Sequence, residues 1–188
     1  MRGSPAVCSR VVGGWLFRHR GWLPVPLFAA CLLPLPHARL AGFVLLALGE
    51  GLRLWAVGHI GRKSRTRDDR VGALSETGPY ARLRNPLYVG NLLLWSGIGV
   101  LAWPSALWVV PALVTHYSFI VRWEEAQLER QLGEPYRDYL RRVPRWLPLG
   151  PRRAGRWDGG EALRSERGTF AVLSLVGAAL WARCYLPL

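Results

Sequence analysis

The chain has 188 residues, half of them hydrophobic, with ten tryptophans and a formal charge of +13. That length holds one domain. The basic residues, 24 Arg and a single Lys, stand in blocks between apolar runs, not gathered into a groove-facing patch, so nucleic-acid binding is set aside and cytoplasmic retention of membrane loops is favoured.

Residues 1–21 form a basic tail carrying Arg2, Arg10, Arg18 and Arg20. The apolar run at 22–36 is studded with Pro24, Pro26, Pro34 and Pro36 and lacks a small-residue cleavage site. It reads as an uncleaved first span and not a signal peptide, although as a helix it reaches only about 22 Å. Residues 40–58 form a second span that carries Glu50 and Arg53. A loop from 59 to 84 follows, with seven basic residues.

Residues 85–121 then contain no Asp, Glu, Lys or Arg over 37 positions. That is about twice the length one helix needs to cross a bilayer. A reversal at Ala102-Trp103-Pro104 divides the stretch into spans at 86–103 and 105–121. The paired acids Glu124 and Glu125 come next. Between 122 and 143, Leu128, Leu132, Tyr136, Tyr139, Leu140 and Val143 recur every three or four positions, the mark of an amphipathic helix. Gly133 and Pro135 are expected to divide it into two pieces. Residues 144–168, rich in Arg, Gly and Pro, read as a connector, and 169–188 as a last span with Arg183 near its end. Trp22, Trp103, Trp108 and Trp181 stand near span ends, as an aromatic belt requires.

The expected fold is therefore all-α: an integral membrane bundle of about five transmembrane helices with a cytoplasmic amphipathic helix. Its sections are the tail (1–21), two N-terminal spans (22–58), a core (59–148), a linker (149–168) and a C-terminal span (169–188). Basic residues number four in the tail, one in the first turn, seven in the second loop, none in the third turn and eleven at 122–168. This alternation puts the N-terminus, the second loop and the penultimate segment on the cytoplasmic side. Size and arginine bias suggest a bacterial inner membrane.

Few residues could carry chemistry. Cys8, Cys31 and Cys184 are isolated and odd in number, so neither a disulfide framework nor a metal site is indicated, and Cys184 does not fit a prenylation box. Glu50 and Arg53 share a helix face, either neutralising each other or forming a polar site within the bundle. The Glu124–Glu125 pair is either a solvated helix segment or, lying beside the basic loop in the hairpin arrangement, an edge that binds a cation. His116 and Tyr117 are polar points in the fourth span. The glycines of Gly97-Ile98-Gly99 match a dinucleotide fingerprint only formally; inside a membrane helix they indicate close helix packing.

The combination is more specific than its parts. In order come LGEGLRLWA at 48–56, GPYARLRNPLYVG at 78–90, RWEEAQL at 122–128, LGEPY at 132–136 with Tyr139, and VPRWLP at 143–148. This series resembles the isoprenylcysteine carboxyl methyltransferase and phospholipid methyltransferase superfamily of integral membrane enzymes. The resemblance implies that S-adenosyl-L-methionine binds on the cytoplasmic side without a Rossmann fold, at Tyr80, Arg84, Asn85, Pro86, Tyr88, Gly90, Glu124 and Glu125. Asn85 stands where that family usually has histidine; it can still donate and accept a hydrogen bond but cannot titrate. The resemblance also places Arg53 and Arg122 as catalytic residues holding an acceptor carboxylate. It implies a lipophilic or lipid acceptor, an isoprenylcysteine-like carboxylate being favoured over a phospholipid or other lipid group. A sterol-reductase-like NADPH enzyme and a non-enzymatic membrane protein are the alternatives.

Overall fold

The structure, a computed structural model, describes residues 5–19, 40–60, 74–102 and 105–185. These residues form seven helices and no strand: α1 (Pro5–His19), α2 (Leu40–Ile60), α3 (Pro79–Arg82), α4 (Pro86–Leu101), α5 (Ala106–Leu132), α6 (Glu134–Arg142) and α7 (Gly159–Tyr185). The fold is all-α, as expected. The proposed first span at 22–36 lies outside the described residues. The segment read as a basic tail contains α1, whose Gly13 and Gly14 fit against Trp123 of α5 while the Phe17 and Trp123 rings lie 4.7 Å apart.

The centre of the molecule is the antiparallel pair α2 and α4, which approach backbone to backbone. A Cβ on Gly97 would stand 2.8 Å from the Gly42 carbonyl oxygen, and one on Gly49 would stand 2.8 Å from that of Gly90. Lipid tails give apolar helices no solvent-driven reason to associate, so close packing through small residues has to supply the attraction. The glycine pattern near residue 97 is therefore a packing surface, as its position in an apolar helix indicated.

Helix α4 ends at Leu101 and α5 starts at Ala106, which puts the reversal where Ala102-Trp103-Pro104 suggested it. Among the described residues, Ala41–Ile60 is long and apolar enough to cross a membrane, and Pro86–Leu101 is apolar but shorter. Phe43, Val44 and Leu48 of α2, Leu107, Trp108 and Val114 of α5, and Val172 and Leu175 of α7 all face outward. Apolar groups exposed over three helices suit hydrocarbon better than water.

Past residue 121, α5 continues without a break to Leu132, so Glu124 and Glu125 lie on the same helix as the charge-free run at 106–121. The break comes at Gly133, whose φ of 63° ends α5; Pro135 then occupies the first turn of α6, where a missing N–H costs nothing. Tyr136, Tyr139 and Val143 form a buried cluster with Leu74, Leu128, Leu132 and Leu140 packed on it, so the apolar face read from the periodicity is the one that is buried.

The connector expected at 144–168 needs correction. Helix α7 begins at Gly159, ten residues before the expected span, because Asp158 caps it: the Glu161 N–H donates to Asp158 Oδ1 at 2.9 Å. Asp-x-x-Glu is the sequence form of a capping box. The remaining irregular segment runs back along the loop before α4. Arg84 N–H donates to Pro144 O at 2.9 Å, Gly150 N–H to Arg82 O at 2.8 Å, and Gly78 N–H to Arg153 O at 2.9 Å. The segment acts as a strap, with its backbone groups satisfied across the loop.

Candidate functional site

The loop between α2 and α4 is shaped by two prolines. Gly78, with φ of 59°, turns the chain into the short helix α3, whose first residue is Pro79. Pro86 then opens α4 and is buried there. Between them, Arg84 and Asn85 face the polar end of α5, where Glu125 is also buried.

Glu125 ties three segments together. Its Oε1 accepts from Arg84 Nη1 at 3.1 Å and from Asn85 Nδ2 at 3.3 Å. Its Oε2 accepts from Arg145 Nη2 at 2.6 Å and Arg145 Nε at 3.0 Å. Asn85 Nδ2 also donates to the Arg145 carbonyl at 3.3 Å. The Arg145 guanidinium is held above its ordinary value, chiefly by its hydrogen bonds to Glu125. Asn85 thus acts as a donor that fastens loop, α5 and strap, a task that needs no titrating imidazole.

Glu124, the other acid, points elsewhere and accepts from the Tyr88 hydroxyl at 2.9 Å. The Tyr88 ring lies 5.3 Å from that of Tyr117. Tyr80, 7% exposed, is fixed through its backbone, its carbonyl accepting from Tyr139 Oη at 2.7 Å. Its own hydroxyl is buried with no hydrogen-bond partner among the described residues. Burial raises the Tyr80 phenol pKa well above the usual value, Glu124 adds to the rise and Arg53 opposes it. A neutral hydroxyl lying in the fields of Glu124 and Arg53 is a donor without an acceptor. Arg84 Nε is buried and unpartnered in the same way.

Arg53 of α2 is enclosed by the protein's own groups. Its Nη1 donates to Asn91, and its Nη2 donates to Glu166 Oε2 at 2.5 Å and to Thr169 Oγ1 at 3.2 Å. Its Nε lies 3.5 Å from Glu50 Oε2. Both readings of the Glu50–Arg53 pair hold in part: the two groups face each other, and they belong to a larger buried network.

The structure thus joins Arg84, Asn85, Tyr88, Glu124 and Glu125 at the polar end of the α4–α5 hairpin, with Tyr80 and Pro86 buried in the loop that carries Arg84 and Asn85. Gly90 is pressed against α2, where an added Cβ would stand 2.6 Å from Arg53 Cγ; its smallness serves helix packing. Arg122 is exposed on α5. Arg145, Glu166, Thr169 and Asn91 were missed as site residues. Arg145 lies in a quoted motif and Glu166 could have been found from the Asp158–Glu161 cap, which extends α7 over it. An open cleft of about 530 Å³, lined in part by Trp55, His59, Arg82, Arg153 and Trp157, opens between the end of α2 and the strap and includes none of the expected site residues.

Compared with known proteins, residues 38–135 match the phospholipid methyltransferase family. The chain is 34% identical to the cobalt-zinc-cadmium resistance protein CzcN of Cupriavidus metallidurans over 160 residues, 77% of this chain and 70% of that protein. It is 36% identical to the nickel-cobalt-cadmium resistance protein NccN of Alcaligenes xylosoxydans xylosoxydans over 99 residues, 51% of this chain and 43% of that protein. No solved structure matches. The family match spans more than half of the chain and takes in Arg53, the loop, both hairpin helices and the acidic pair: the chain belongs to the phospholipid methyltransferase family.

Proposed function

We propose that this protein is an S-adenosyl-L-methionine-dependent methyltransferase of a bacterial inner membrane, with its N-terminus and site toward the cytoplasm, acting on a lipophilic acceptor that enters from the lipid. The observation that carries the reading is the convergence of the Tyr80–Tyr88 loop on Glu124 and Glu125, with buried donors left over at Tyr80 Oη and Arg84 Nε. When bound, S-adenosyl-L-methionine supplies a methyl carbon whose bond to the sulfonium sulfur breaks, with its electron pair, as the bond to the acceptor forms.

The residues fit such a donor. Glu124 offers negative charge to its cationic groups, while Arg84 Nε and the Tyr80 hydroxyl offer hydrogen bonds to its carboxylate or ribose. Glu125, saturated by Arg84, Asn85 and Arg145, holds the loop against α5 so that these groups face one place. Pre-organisation of this kind, with water kept out, is the main thing a displacement at a methyl carbon needs from a protein.

A carboxylate acceptor was favoured on the strength of Arg53 and Arg122. With Arg53 engaged by internal partners and Arg122 exposed, the geometry gives no reason to prefer it over another lipophilic acceptor. The metal-resistance names of the relatives suggest scoring a deletion strain on cadmium or cobalt, where loss of a methylated membrane component would register.

The test is equilibrium binding of labelled S-adenosyl-L-methionine and of NADPH to the detergent-purified protein, followed by methyl transfer into a total bacterial lipid extract. Donor binding lost in Glu124→Gln, together with a labelled lipid, supports the proposal. Binding of NADPH alone, or of neither, rejects it.

A further inference from the structure

Helix α7 lies beyond the matched family segment, yet it reaches into the network around Arg53. Glu166 is 1% exposed and its Oε2 accepts from Arg53 Nη2 at 2.5 Å and from Thr169 Oγ1 at 2.5 Å. Thr169 Oγ1 in turn accepts from Arg53 Nη2 at 3.2 Å. On the opposite flank Asn91 of α4 takes Nη1, and Glu50 faces Nε. The contact is no accident of a loose terminus. The helix is capped at Asp158, whose backbone N–H donates to Gly58 O at 2.9 Å, and Trp157 Nε1 donates to Leu54 O at 3.3 Å. Two anchors on α2, one turn apart, set the register that brings Glu166 to Arg53.

A guanidinium recognises a carboxylate through parallel N–H donors. Here the Nη2 edge that an acceptor carboxylate would require is already taken by a carboxylate from the protein. We propose that Glu166 is a specificity-determining residue: it occupies Arg53 from within, closes that arginine to acceptor carboxylates, and fixes the guanidinium as a positioning group between α2, α4 and α7. The proposal rests on the methyltransferase reading. Under it the acceptor is an uncharged nucleophile that attacks with its own lone pair; any proton it carries passes to water once the new bond has formed.

The experiment compares wild-type protein with Glu166→Gln, which keeps the side-chain volume, and Glu166→Ala, which opens the position. Each is assayed for binding of labelled S-adenosyl-L-methionine and for methyl transfer into a total bacterial lipid extract, with and without added formate. An isoprenylated cysteine bearing a free carboxylate is offered as competitor. We expect both variants to bind the donor and to lose roughly 10- to 100-fold in turnover, the scale of a displaced positioning group. Formate should restore Glu166→Ala and not Glu166→Gln, and the carboxylate competitor should inhibit Glu166→Ala alone. Unchanged turnover in both variants, or a loss in Glu166→Ala that formate leaves untouched, overturns the proposal. Methylation of the isoprenylcysteine carboxylate by the wild-type protein does so as well. A wild-type protein that neither binds the donor nor transfers methyl is a different result, because it removes the methyltransferase reading itself.

Discussion

The two acids of α5 have the same chemistry and adjacent positions, yet the structure gives them different duties, so their substitutions should separate. Glu125→Ala strands Arg84, whose side chain is 14% exposed, and Arg145, which at 36% reaches water. Removing one partner of a buried ion pair costs about 3–5 kcal/mol; the Arg145 share is reduced by solvent screening, which leaves about 3 kcal/mol at the low end of that range. For a chain of this size that lowers the unfolding midpoint by roughly 6–12 °C. Glu124→Gln keeps an acceptor for the Tyr88 hydroxyl, loses only charge, and should cost less than about 1 kcal/mol. Thermal unfolding in detergent, read beside labelled-donor binding, gives the comparison. The expected pattern is a destabilised Glu125→Ala and a stable Glu124→Gln that no longer binds the donor. Equal destabilisation by the two changes, or normal donor binding by Glu124→Gln, would refute the division of labour.

Three further outcomes follow from the fold. Burial raises the phenol pKa of Tyr80, Tyr136 and Tyr139 above the ordinary value. The unfolded chain therefore gives up these protons first, so stability should be level below about pH 10 and fall above it; a Tyr136→Phe variant should show a shallower alkaline decline in far-ultraviolet circular dichroism. Gly90→Val drives a side chain into Arg53 and the Gly49 carbonyl of α2 and should abolish folding in detergent, as judged by gel filtration, whereas Gly51→Ala, with nothing within 4 Å of the added Cβ, should not. Single cysteines at Arg82 and Glu129 should react with an impermeant thiol reagent from the same side of the membrane, and labelling from opposite sides would exclude a shared site.

What could be read from the sequence was whatever depends on local pattern. The reversal near residue 103, the break at Gly133 and the face formed by Leu128, Leu132, Tyr136 and Tyr139 follow from hydrophobic period and turn chemistry, and each lies where that reasoning put it. The acidic pair and the Arg84–Tyr88 segment could be paired in advance because a hairpin returns both ends to one side. What could not be read was long-range partner choice. Nothing local says that Glu125 takes Arg145 twenty residues on, or that Gly90 serves packing more than a ligand. The resemblance alone assigns Arg53 to a substrate carboxylate, while its partner Glu166 lies in a segment whose arginines, glycines and proline suggest a connector. There the composition of residues 149–157 masked the helix start that Asp158 and Glu161 encode.

The strap and α7 share one consequence. Two carboxylate–arginine joints tie the segment that matches the family to the chain beyond it: Glu125 with Arg145, and Arg53 with Glu166. If the second joint served only to hold α7 in place, exchanging both members for apolar residues would leave function intact, since a buried pair replaced by well-packed hydrophobic groups is often neutral or stabilising while the loss of one partner is costly. Arg53→Met with Glu166→Leu should therefore recover most of the stability lost in Glu166→Leu alone. Methyl transfer should not return with it, because the group that positions α2 against α4 and α7 at the site is still missing. A double variant that regains both stability and turnover would show that the network around Arg53 is scaffolding, and would leave the acidic pair and the loop to carry the chemistry by themselves.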